Sequence, residues 1–174
     1  FTAINLSQIP APDVVEVIDF ETLLRTIKDD FIAKSPDYAD SLNLESEPLV
    51  KLMGSVAYTV MTWRQRVNDA SRSVMLAYAT GADLDNLAAL FAVERQLVAP
   101  GDETVIPPIP PVFESDSRLR ERVQLSLEGH STAGPIGSYV FWALSADPSV
   151  KDINVTSPNA GQVLVTVLST IGEG

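Results

Sequence analysis

From Pro48 onward, Met53, Val56, Val60, Trp63, Val67, Ala70 and Val74 follow one another at alternating steps of three and four. An average period of 3.5 residues keeps apolar side chains on one seam of a helix, so the segment reads as a heptad-patterned helix. Proline suits a first helical turn, where its missing N–H costs nothing. A helix over 48–79 would be on the order of 48 Å long at 1.5 Å per residue. Two occupants of the seam remain open: the chain's own core, or another subunit.

The rest of the chain is arranged around that helix. Asp19 stands where an N-cap belongs, and Phe20, Leu23, Leu24, Ile27 and Phe31 make one apolar stripe that ends near Ser35-Pro36. Gly81 is the expected C′ residue of the long helix, because glycine reaches the left-handed conformation cheaply. Asp83 then caps a short helix whose buried face is Leu84, Leu87, Ala88 and Phe91. Five prolines interrupt RQLVAPGDETVIPPIPPVF, residues 95 to 113, and predict a stiff extended linker. Ser115 or Asp116 caps a further helix, with Leu119, Val123 and Leu127 on one face and Gly129 at its end. SYVFWALSAD predicts another, with Tyr139, Phe141, Trp142 and Leu144 buried. The period then changes to two: Val150, Ile153 and Val155 precede the turn SPNAG, and Val163, Val165 and Val167 follow it, as in a hairpin.

These elements predict an α+β protein: a long-helix N-terminal helical part (1–92), a Pro-rich linker (93–112), and a small α/β part with a terminal β-hairpin (113–174). The last part reads as cut short at its C-terminus.

Charge narrows the function. Twelve Lys and Arg against 23 Asp and Glu leave a net charge of −11, which disfavours nucleic acid or an anionic membrane surface and favours protein partners. The chain has no cysteine, so thiol catalysis and Cys-ligated zinc are excluded; one histidine excludes a two-histidine metal site. Phosphate-binding loops of the GxGxxG or GxxxxGKS type do not occur. His130 and Ser131 are adjacent, but neighbours in sequence seldom face each other, and the GxSxG elbow is missing. Asp83 and Asp85 could serve as a carboxylate pair, yet their place at a helix start makes capping and dipole stabilisation the simpler role. No catalytic, cofactor or metal site is therefore expected, and no small-molecule substrate. Two alternatives remain: a carboxylate-dependent glycan hydrolase, and an adaptor read through the PxxP pattern of PPIPP.

Three segments, in order, resemble the phage baseplate J-like proteins, wedge components of contractile tails. They are YATGADLDNLAALFAVER (78–95), FESDSRLRERVQLSLEG (113–129) and the stretch from STAGPIGSYVFWAL to GQVLVTVL (131–168). The resemblance implies a non-enzymatic virion part that joins other wedge proteins and copies of itself, assembled in the bacterial cytoplasm and then carried in the tail baseplate. It fits an infectious phage, a prophage or a tail-derived injection device equally. Family chains usually continue further, and many carry a β-rich insertion where this one has its Pro-rich region. The expected contact residues are Met53, Val56, Val60, Trp63, Val67 and Val74 on the seam, with Gly81, Asp83 and Asp85 at the corner.

Overall fold

The computed structural model describes residues 4–132 and 134–172. They form two compact units, Pro10–Arg72 and a second made of the residues up to Ile9 with those from Ser73 on. The fold is mixed α+β with a C-terminal hairpin.

In the first unit α1 (Phe20–Lys34) begins as the sequence predicts: the Asp19 side chain accepts a hydrogen bond from the Thr22 amide at 2.7 Å. Hydrogen bonding from the Thr22 side chain and from its backbone amide holds the Asp19 carboxyl below its ordinary value. A connection containing two 3-10 turns (Pro36–Tyr38 and Ser41–Asn43) leads to α2 (Pro48–Ser73). The unit's core is Leu42, Val50 and Met53, with Leu24, Ile27, Phe31 and Ile32 of α1 packed against it.

α2 differs from expectation in length and in the face it buries. It has 26 residues, about 39 Å at 1.5 Å per residue, and ends at Ser73 well short of Gly81. Its buried residues are Val50, Met53, Ala57 and Asn68, a stripe that meets the heptad seam only at Met53. Asn68 is tolerated there because the extended lead satisfies it: its amide donates to the Glu16 carbonyl at 2.8 Å, and its oxygen accepts from the Glu16 amide at 3.0 Å.

The second unit holds α3 (Gly81–Ala89), α4 (Asp116–Gly129), α5 (Ile136–Ala146) and two small antiparallel sheets. Leu84, Ala88 and Val93 share one core with Leu119, Val123 and Leu125 of α4, Phe141 and Leu144 of α5, and Val150. The units therefore part near Arg72 instead of along the Pro-rich stretch, because the apolar face of α3 packs with α4.

That stretch is an arm that leaves and rejoins the same unit. β1 (Leu97–Ala99) pairs with β2 (Val112–Phe113), and Asp102 bridges Ile109 through two backbone hydrogen bonds. Gly101 permits this approach: a Cβ there would lie 2.7 Å from the Ile109 carbonyl oxygen. The prolines sit beyond or between the paired positions, where no ladder donor is needed.

Ser115 is the N-cap of α4, accepting from the Arg118 amide. The predicted apolar face is right at Leu119 and Val123 but not at Leu127, which is 69% exposed. In α5, Phe141 and Leu144 are buried, whereas Tyr139 and Trp142 are not; the Trp142 indole instead donates to the Gly129 carbonyl at 3.2 Å. The expected hairpin is present, with β3 (Val150–Thr156) antiparallel to β4 (Leu164–Ser169), which starts one residue after Val163; Ile153 and Val155 face Val167 and Val165. Ile153 packs on the core, which supplies the cover a two-stranded ribbon needs.

Candidate functional site

The corner at residues 81–96 is built from charge pairs. Gly81 is the first residue of α3, with φ +53, and so does not end the long helix. Thr80 stands at the cap position without a side-chain hydrogen bond. A residue distant in sequence supplies the anion: the Gly81 amide donates to Asp116 Oδ2 at 3.2 Å. Asp83 lies in the first turn of α3, exposed, where a carboxylate complements the helix dipole. Asp85 accepts from Arg95 Nε at 2.7 Å, and Arg95 Nη2 donates to Asp116 Oδ1 at 2.7 Å. Arg95 thus clasps the two ends of the corner to the start of α4.

Burial alone would raise the Asp116 carboxyl, but the hydrogen bonds from Arg95 and Gly81 outweigh it, and the group is held below its ordinary value. Burial likewise opposes the charge on Arg95, and Asp85 and Asp116 more than offset it. Asp116 therefore stabilises the fold fully above the ordinary carboxylate pKa of about 4, and this contribution is lost as pH falls through the lowered folded value. Asp116→Asn is expected to cost stability at pH 7 and progressively less in acid. Urea midpoints at pH 7 and pH 3 test this; a wild-type-to-variant gap that does not narrow on acidification counts against it.

Behind the clasp lies a buried ionic cluster that charge patterning alone did not reveal. The Glu114 side chain has no exposed surface, and its Oε1 accepts from Arg122 Nη1 and from the Gln96 amide. Its Oε2 lies 3.3 Å from Arg118 Nε. Arg118 also donates to the carbonyls of Leu144, Asp147 and Val150, and Arg120 to those of Leu76 and Ala79. The SRLRERV run of α4 thus supplies guanidinium groups to carbonyls that chain ends and turns leave unpaired. Three arginines at alternate positions after a glutamate were the available signal.

The predicted seam is distributed as follows. Met53 is core of its own unit, packed with Leu42 and Val50. Val74 lies beyond the end of α2 in a turn, exposed. Val60 is half-buried, and Val56, Trp63 and Val67 are 45%, 69% and 56% exposed on the helix. The structure therefore brings Val56, Val60, Trp63 and Val67 together as one outward stripe. Gly81, Asp83 and Asp85 belong to the other unit's corner. On the flank of α2, Ile18, Met61, Trp63 and Arg66 line a groove of about 700 Å³. His130 is an exposed residue just after α4, and no group of His, Asp and Glu among the described residues could hold a metal ion. No helix among them is long and apolar enough to cross a membrane.

Fold and stripe together define an α+β chain with an apolar helix face that the described residues leave exposed. Residues 45–102, which contain α2, the corner and α3, match the Baseplate J-like N-terminal domain. The chain is also 48% identical over 176 residues to baseplate protein J of Escherichia phage P2, an alignment covering 98% of this chain and 58% of that protein. That similarity runs over nearly the whole chain, which spans about 58% of the length of that curated relative.

Proposed function

We propose that the protein is a structural component of a phage tail baseplate, a wedge part that acts through protein contacts and not through catalysis. Its partners are other wedge proteins and further copies of itself; it is assembled in the host cytoplasm and carried in the tail. The observation that bears most weight is the stripe Val56, Val60, Trp63 and Val67. Water-facing apolar residues at heptad spacing on a helix whose core face lies elsewhere need a helix from another chain to cover them. The likeness to baseplate protein J of phage P2 supports the setting.

The corner has a supporting part in this reading. Asp85 and Asp116, held by Arg95, fix the start of α3 and so the surface it presents. The carboxylates considered for glycan hydrolysis are thereby assigned to structure: Asp85 is paired with Arg95, and Asp83 lies in a helix's first turn.

Trp63→Glu in the full-length protein is the direct test, because the side chain is exposed enough to be changed without loss of core. Co-expressed with the other tail proteins of its genome, the variant is expected to fold, by circular dichroism, and to be missing from the sedimenting wedge complex. Normal assembly of a folded Trp63→Glu protein would remove the stripe from the interface.

A further inference from the structure

We draw no further inference here: the strongest candidate, the edge strand β4, whose exposed Leu164, Val165, Val167 and Leu168 carry no charge and pair only with β3 among the described residues, is an unpartnered apolar surface, and nothing in the structure shows what covers it.

Discussion

Glu114→Ala is expected to lower the unfolding free energy by about 3–5 kcal/mol, the range for breaking a buried ion pair from one side. The side chain is wholly enclosed, and Arg122, whose own side chain is 6% exposed, donates to it directly. Removing the carboxylate leaves a guanidinium with the Glu94 carbonyl and the Ser145 hydroxyl, both neutral, and leaves the Gln96 amide without its acceptor. An unpaired buried charge and an orphaned amide each cost more than the intact pair contributes, because the pair itself has to offset its own desolvation. Two further variants separate these effects. Glu114→Gln keeps the shape and one acceptor oxygen and is expected to cost less than the alanine. Glu114→Met with Arg122→Met removes both charges and is expected to recover much of the loss. Equilibrium urea unfolding reads all three; a double variant as unstable as Glu114→Ala would show that the charge imbalance is not what destabilises.

That cluster marks where sequence reasoning ran out. Local signals were legible: the Asp19 and Ser115 caps and the end of α4 at Gly129 follow from residues acting on their own backbone, and the two hairpin strands from a period of two. The heptad stripe was legible as well, but not its solvent exposure. α2 carries a second stripe of Val50, Ala57 and Asn68 beside it, and an asparagine bound at both ends to the Glu16 backbone has no hydrophobic signature. Gly81 was read as a helix stop because glycine favours a left-handed backbone; the backbone is left-handed there, at the start of α3 instead of the end of α2. The sequence did not mark Arg118, Arg120 and Arg122 as interior partners, since the backbone carbonyls they reach lie 26 to 44 residues away, at positions only the tertiary fold brings near. The Pro-rich stretch read as a linker because proline stiffness says nothing about whether the two ends of a segment meet.

Leu119→Ala and Leu127→Ala, alike on the sequence stripe of α4, are expected to part widely. Leu119 is fully buried, in a core with Leu84 and Ala88, so truncation removes its transfer free energy and leaves a cavity that the helices can only partly close. About 2–5 kcal/mol is the expected cost. Leu127 faces water, and its truncation should stay within about 0.5 kcal/mol. The helix explains the split: its buried set runs Leu119, Arg122, Val123, Leu125 and Ser126, rotated off the apolar stripe because Arg122 must reach Glu114. The same substitution bears on how the chain is divided. Were residues 1–92 and 113–174 separate bodies, Leu119→Ala would speed amide exchange in α4 and α5 and spare α3. Because Leu84, Ala88 and Val93 close the same core as Leu119, exchange in α3 is expected to rise together with that in α4, and protection of α3 unchanged by Leu119→Ala would put the boundary back in the proline-rich arm.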